Sequence, residues 1–324
     1  MTLNTFSIFL TLVEEMNFTR AAQRLFITQQ SLSGHIKRLE DEYGVTLFER
    51  RPILRLTAEG ENMVFYARQI LRAQNSMLSD FADLSARRTA YLDIGISYLR
   101  SAMFGSGIWR RFHRQYPNIR VRMVEQNTTV LLDLLQRGEI SLMVGVDIRP
   151  VPGLLVMPAL RERVCCVVDR DLYAEYYPRE AEETGGKQIL GKEITIRQIR
   201  EIPMMLPARD NRLRVSLDRM YRIAGFMPKV LLESERQDAL YRLAGQGEGA
   251  AILSPLVLYN QEEEKLSVPE NCHVFRILES GVSVVAVAVL EDTRQTHYAE
   301  AMMEIVRLEF ARYGEAIAQL GLRG

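Results

Sequence analysis

Apolar residues recur at three- and four-residue spacing through the first third of the chain, then gather into short runs separated by amphipathic stretches. Phe6, Phe9, Leu10 and Val13 share one helical face and predict a first helix over residues 3–15, broken at Asn17 or Phe18. A short second helix turns Ala21, Ala22 and Leu25 inward and Arg20 and Arg24 outward. Thr28 is placed to cap a third helix that buries Leu32, Ile36, Leu39 and, at its end, Tyr43, with Gly44 closing it. Leu47 with Phe48 and Ile53 with Leu54 then bracket a Glu-Arg-Arg-Pro turn, the pattern of a two-stranded wing.

From Thr57 the pattern stays helical to Arg87, with Glu59 in the first turn where it favours the helix dipole. Val64, Ala67, Leu71, Gln74, Leu78 and Phe81 alternate by three and four, a coiled-coil seam with one polar member. Pairing with a second copy buries such a stripe, so a homodimer or homotetramer is expected; the alternative is a helix packed on its own chain.

Beyond residue 90 the rhythm changes. "YLDIGIS" predicts a strand, followed by helix, strand, helix and the strand "SLMVGV". The alternation resumes with "VCCVV", helices near 195–201 and 210–224, "KVLLES", a helix at 236–245 and "GAAILSP". "VSVVAVAVL" and a helix from His297 to Tyr313 follow. Strands alternating with helices imply parallel sheets and right-handed crossovers. Residues 173–194 are charged and Gly-bearing, and predict a surface excursion.

Composition narrows the class. With 324 residues the chain exceeds one ordinary core. At 47% hydrophobic and 25% charged it is neither disordered nor fibrous. The amino-terminal apolar run lacks a basic leader and is interrupted by Glu14 and Glu15, and no later run is as long as a membrane span. A cytoplasmic protein without a membrane partner is expected, and three Cys suit a reducing compartment.

The formal net charge is zero, so a nucleic-acid partner must be met by a local patch. Between residues 18 and 58 seven basic side chains (Arg20, Arg24, Lys37, Arg38, Arg50, Arg51, Arg55) oppose four acidic ones. Ala21 and Ala22 let the second and third helices cross closely, as a helix-turn-helix requires. Such helices read bases with their amino-terminal residues. That selects Gln29, Gln30 and Ser33 for base edges, with Thr28 and His35 beside them, and Lys37 and Arg38 for phosphates. Arg50, Arg51 and Arg55 suit a wing lying on the backbone, and Thr19 and Arg20, at the start of the second helix, join them as DNA-binding candidates.

The ordered set Phe-Thr-x-Ala-Ala, Thr-Gln, Leu-Ser, Leu-Glu, Leu-Phe-x-Arg and Leu-Thr-x-x-Gly within residues 6–60 resembles the winged helix-turn-helix of the LysR-type transcriptional regulators. The resemblance implies an α+β multidomain chain: a winged helix-turn-helix at 1–58, a dimerisation helix at 59–88, and a periplasmic-binding-protein-like effector domain of two α/β subdomains. Subdomain I takes 89–163 and 268–310, subdomain II takes 164–267, and 311–324 form a tail. The chain then crosses between subdomains near 162–165 and 266–269. Double-stranded DNA, a small-molecule effector and RNA polymerase are the implied partners. Three positions depart from the family pattern: Gln30 stands where Pro is usual, Gly34 where Arg is usual, and Ser141 where Asp is usual.

Ligands of open α/β sheets bind at the carboxyl ends of strands, near helix amino termini. Here that selects Ser97, Tyr98 and Ser101, then Asn127 and Thr128, then Asp147. From the second subdomain come Pro207, Arg209 and Gln246, with Arg100 or Arg209 as charge partner for a small carboxylate. A cytoplasmic binding protein or an enzyme using the same cleft is the alternative. The four His are scattered, no metal-ligand spacing or nucleophile motif is present, and adjacent Cys165 and Cys166 read as buried thiols. No cofactor and no catalytic residue are expected.

Overall fold

The computed structural model describes residues 4–49, 53–84, 90–209, 211–291 and 295–324. The chain divides into two compact bodies, one essentially residues 1–90 and the other the chain from Tyr91 onward, with 137–139 and 292–296 grouped with the first.

In the first body, α1 (Asn4–Glu15), α2 (Phe18–Arg24) and α3 (Gln29–Tyr43) precede a two-stranded wing, β1 (Phe48–Glu49) and β2 (Arg55–Leu56), and the long α4 (Ala58–Leu84). Local chemistry sets each boundary. The Asn17 side chain accepts from the N–H groups of Thr19 and Arg20, so the residue expected to break α1 also starts α2. Thr28 accepts from Ser31 N–H to start α3, and Gly44 ends it in the left-handed conformation at φ 65°. Ala21, Ala22, Leu32, Ile36 and Leu39 are buried with Phe9, Leu12, Leu47 and Phe48, the Phe9 and Phe48 rings meeting edge to face at 5.6 Å. Glu40 Oε1 accepts from Leu47 N–H at 2.9 Å, fixing where the wing leaves α3.

Three expectations for this body are corrected. Tyr43 is exposed, because it falls at the end of α3 beyond the covered face. The returning wing strand is Arg55–Leu56, not the pair Ile53 and Leu54: pairing Phe48 with Leu56 keeps both on the core side, and Ile53 is left exposed. The apolar seam of α4 is spent within its own chain at its first half. Ala67 is buried in the three-helix core, with Val64 and Leu71 packed against it. Among the described side chains of α4, the large apolar ones left exposed are Phe65, Tyr66 and Met77 instead. Leu78 and Phe81 side chains lie outside the described set.

The second body holds two sheets. β3 (Ala90–Ile96), α5 (Tyr98–Gln115), β4 (Ile119–Glu125), α6 (Thr128–Arg137), β5 (Leu142–Val146) and β6 (Leu154–Glu162) build the first. The chain then enters the second through β7 (Cys165–Asp169), α7 (Arg170–Tyr176), α8 (Pro178–Glu183), β8 (Leu190–Ile194), β9 (Met204–Pro207), α9 (Arg212–Ala224), β10 (Val230–Ser234), α10 (Gln237–Gly245) and β11 (Ala250–Leu253). A small hairpin, β12 (Tyr259–Asn260) and β13 (Lys265–Leu266), precedes β14 (Cys272–Ile277), β15 (Ser283–Leu290) and α11 (His297–Ala318). Strand orders are β4-β3-β5-β15-β6 and β10-β9-β11-β7-β14-β8.

The sheets are mixed rather than parallel. β15 runs antiparallel to β5 and β6, and β7 runs antiparallel to β11 and β14, because these are strands adjoining the crossings. The first crossing lies between β6 and β7, at 163–164. The second lies at 278–282 rather than 266–269, since β14 belongs to the second sheet. β14 is hard to read because "CHVFRI" carries a His and an Arg; His273 is buried and neutral, and Arg276 Nε donates to Gly191 O at 2.7 Å. Residues 190–194 are not a loose excursion: β8 pairs in parallel with β14, and Ile194 is buried. α11 runs past the expected end to Ala318, burying Tyr313, Ala316 and Ile317.

Candidate DNA-binding face and candidate effector cavity

In the first body, the amino termini of α2 and α3 converge on a groove of about 720 Å³ lined by Thr19, Gln29, Gln30 and Ser33 with Met16, Asn17, Phe18 and Leu54. Gln29 and Gln30 are exposed and Ser33 half-buried, so their amide and hydroxyl groups face outward from the first two turns of α3. Thr28 is committed to its cap. Lys37 projects into solvent and makes no ion pair among the described residues. Arg38 folds back on its helix, donating to Gly34 O at 3.2 Å with His35 Nδ1 at 3.2 Å. Arg20 sits 3.4 Å from Glu15, and Arg24 sits 2.7 Å from Glu14. Exposed pairs of this kind stabilise by about 0–1 kcal/mol, too little to hold either guanidinium against a phosphate. Arg55 is exposed on β2, whereas Arg50 and Arg51 lie outside the described residues.

In the second body, a cavity of about 950 Å³ is walled by the carboxyl ends of strands and the first residues of helices. Ser97, Tyr98, Asn127, Thr128 and Asp147, all expected, line it. Ser101 stands one layer behind, donating at 2.7 Å to Glu125, which does line it. Its base is a buried charged hub. Arg100 Nη2 donates to Glu162 Oε1 at 2.8 Å, and the same oxygen accepts from Ser254 Oγ at 3.1 Å. Glu162 Oε2 accepts from Tyr313 at 2.9 Å, and burial, with the adjoining carboxylate adding to it, drives the phenol well above its ordinary range.

Three expected residues lie away from the cavity. Pro207 is buried at the end of β9, its carbonyl taken by Arg214 at 3.0 Å. Arg209 is exposed, 3.6 Å from Glu233. Gln246 caps the carboxyl end of α10, ahead of β11, and so lies at the wrong end of that strand. Two cations join the opposing walls. Arg212 donates to the carbonyls of Val146, at 3.1 Å, and Asp147, and Arg236 lies 4.1 Å over the Tyr98 ring.

Metal binding is not arranged among the described residues. No group of three His, Cys, Asp or Glu is placed to hold a metal ion, and no helix is long and apolar enough to cross a membrane. Burial pushes the Cys166 thiol up to about 12 and the Cys165 thiol higher still, the opposite of an activated sulfur.

A profile described as "Bacterial regulatory helix-turn-helix protein, lysR family" matches residues 3–61, and one described as "LysR substrate binding domain" matches residues 87–311. The chain belongs to the LysR family. YcgK of Bacillus subtilis, an HTH-type transcriptional regulator, is 26% identical over 301 residues, covering 88% of this chain and 91% of its own. The regulator cbl of Escherichia coli is 24% identical over 266 residues, covering 81% and 79%. Among solved structures, a full-length OxyR variant from Pseudomonas aeruginosa superimposes with a TM-score of 0.62 at 22% identity, covering 96% and 94% of the two chains. CbnR complexed with its target DNA gives 0.55 at 20%, covering 95% and 100%. This LysR-family chain is therefore a DNA-binding transcription regulator with an effector-binding domain, and not an enzyme.

Several cavity residues of this LysR regulator escape a reading of its sequence. Ser254 follows β11 at its carboxyl end and obeys the same rule that selects Ser97, so the strand-end signal was available for it. Arg212 and Arg236 were hidden by helix starts one or two residues later than the pattern suggests. Glu162 carries no local signal, because its role comes from three donors distant in sequence.

Proposed function

We propose that this regulator reads duplex DNA with Gln29, Gln30 and Ser33, anchors on phosphates through Lys37, Arg20 and the basic wing, and answers to a small anion held in the second-body cavity. Gln and Ser side chains on the first turns of a recognition helix match base edges in the major groove, and a basic rim matches the backbone. The exposed Phe65, Tyr66 and Met77 of α4 favour a homodimer or homotetramer, since a lone helix gains by covering such residues. Two-fold assembly then calls for a two-fold operator with one half-site per subunit.

One observation carries the anion. The first residues of α5, α6, α9 and α10 all line the same cavity, so four positive helix ends converge on it. Neither Ser97 nor Arg236 caps its helix through a side chain, which leaves backbone N–H groups of α5 and α10 open to a ligand. A ligand drawing the two subdomains together shifts the regulator between quaternary states only if it binds them unequally. DNA bending and RNA polymerase recruitment follow from that shift.

The test is footprinting of the intact protein on fragments it selects from genomic DNA, with and without a panel of small carboxylates and phosphates. At least one compound should alter the footprint, and Thr128→Trp, which fills the cavity, should abolish the response while leaving the unliganded footprint. Footprints that no cavity-bound compound alters would reject the coupling. Selection of the same fragments by Gln29→Ala would reject the reading helix.

A further inference from the structure

We infer that the cavity takes a zwitterion, an α-amino acid with a large apolar side chain, rather than a simple anion. This rests on the reading of the cavity as the effector site, and it follows from how the charges there are already spent. Arg100 is the one guanidinium at the base, 5% exposed. It gives Nη2 to Glu162 at 2.8 Å and reaches Ser97 Oγ at only 3.4 Å, and its Nε has no hydrogen-bond partner. That buried, unpartnered N–H stands beside the uncapped start of α5 and is a carboxylate's natural contact.

Arg100 cannot by itself neutralise a second anion, because Glu162 already balances it. A simple carboxylate would also meet Glu125, which lines the same wall and is held at 2.7 Å by Ser101, the residue following Arg100. Glu125 and, on the facing wall, Glu235 make no ion pair among the described residues. The cations opposite do not offset them fully. Arg236 is bound to Asp238 at 3.0 and 2.9 Å, which leaves Arg212 and Arg219, while Asp147 and Glu279 line the cavity beside Glu125 and Glu235. The cavity thus presents an acceptor-seeking floor beside an unbalanced carboxylate.

A ligand bearing an ammonium next to its carboxylate answers both demands at once. Its carboxylate takes Arg100 Nε and the α5 N–H groups, and its ammonium takes Glu125. Val164, Leu213, Met220, Ile223 and Val282 supply an apolar wall for the rest of the molecule.

Thermal-shift screening of the intact protein against the twenty proteinogenic amino acids tests this, followed by calorimetric titration of the strongest binder. Its deamino acid and its decarboxylated amine are titrated alongside; for phenylalanine these are 3-phenylpropanoate and 2-phenylethylamine. The amino acid should bind at least tenfold tighter than either analogue. Glu125→Gln should weaken the amino acid tenfold or more and leave the deamino acid bound as tightly or more tightly, with circular dichroism confirming the fold. A deamino acid that binds as tightly as its parent overturns the zwitterion and leaves the anion cavity standing. No shift with any of the twenty overturns it too, and the footprinting panel then decides the anion reading by itself.

Discussion

Arg100 and Glu162 form a buried ion pair at 2.8 Å, the two side chains 7% and 5% exposed. Arg100 sits in the first turn of α5, and Glu162 ends the strand from which the chain crosses to the second sheet. Ser254 after β11 and Tyr313 on α11 supply the remaining donors to the carboxylate. One side chain therefore ties both subdomains to the crossing between them.

Glu162→Gln should lower stability by about 3–5 kcal/mol, the usual cost of leaving a buried charge without its partner. Tyr313→Phe removes one hydrogen bond to a charged group and should lose about 1.5–3 kcal/mol. Replacing Arg100 and Glu162 together by Met should recover much of the loss, since the desolvation of both charges is removed with them. Urea unfolding of the full chain measures all three, and a double variant no better than Glu162→Gln would show that the hub is not held by the charge pair.

His273 gives the second prediction. Burial, with Arg170 nearby, depresses its imidazole to about 4, and its Nδ1 accepts from Ile189 N–H at 3.0 Å, which requires the neutral ring. The unfolded chain protonates this group near 6.5, so between there and 4 the unfolded state binds more protons than the folded one. The stability from neutral His273 is fully present above that window and is lost as pH falls through it, up to about 3 kcal/mol. His273→Leu should flatten the stability profile between pH 6.5 and 4. An unchanged slope would place the acid sensitivity elsewhere.

The first body was legible because its signals are local. Asn17, Thr28 and Gly44 act within four residues of themselves, and the inward faces of α1 and α3 follow one period. The effector body was legible where a strand end feeds a helix start, as at Ser97 and Asn127. It was opaque where the partner is remote. Glu162 gains its meaning from residues 62, 92 and 151 positions away. β14 was missed because burial of His273 and the edge bonds of Arg276 break the apolar pattern of a strand that the fold satisfies through its neighbours.

Gln29 and Lys37 separate the two ways in which α3 is proposed to meet DNA. Lys37→Ala should weaken binding evenly across sequences and reduce the salt slope of the affinity by about 0.9 for each subunit on the DNA, one phosphate contact apiece. Gln29→Ala should leave the slope alone and relax preference at one base position by about 1–3 kcal/mol. Competition binding on a randomised operator at several salt concentrations reads both. The reverse assignment, a salt-slope change for Gln29 and a preference change for Lys37, would turn α3 about its axis relative to the groove.

Two glycines of the first body should respond in opposite directions. Gly34 lies inside α3, and a Cβ there would meet nothing within 4 Å. Gly34→Ala should therefore raise stability by about 1 kcal/mol, the helix propensity difference. Gly60, the last residue of the Leu-Thr-x-x-Gly pattern, is helical too, yet a Cβ there would overlap the backbone carbonyl of Leu47. Neither α4 nor the start of the wing can retreat, because Thr57 Oγ1 binds Thr46 O at 2.6 Å and caps Gly60 N–H at 2.9 Å. Gly60→Ala should cost more than the propensity gain returns, a net loss of about 1–3 kcal/mol from overpacking. Thermal unfolding of both variants settles the contrast. A stabilised Gly60→Ala would mean that α4 and the wing are not pressed together as the structure has them, and Gly34→Arg, which has the same open space, should then be compared with wild type for operator affinity.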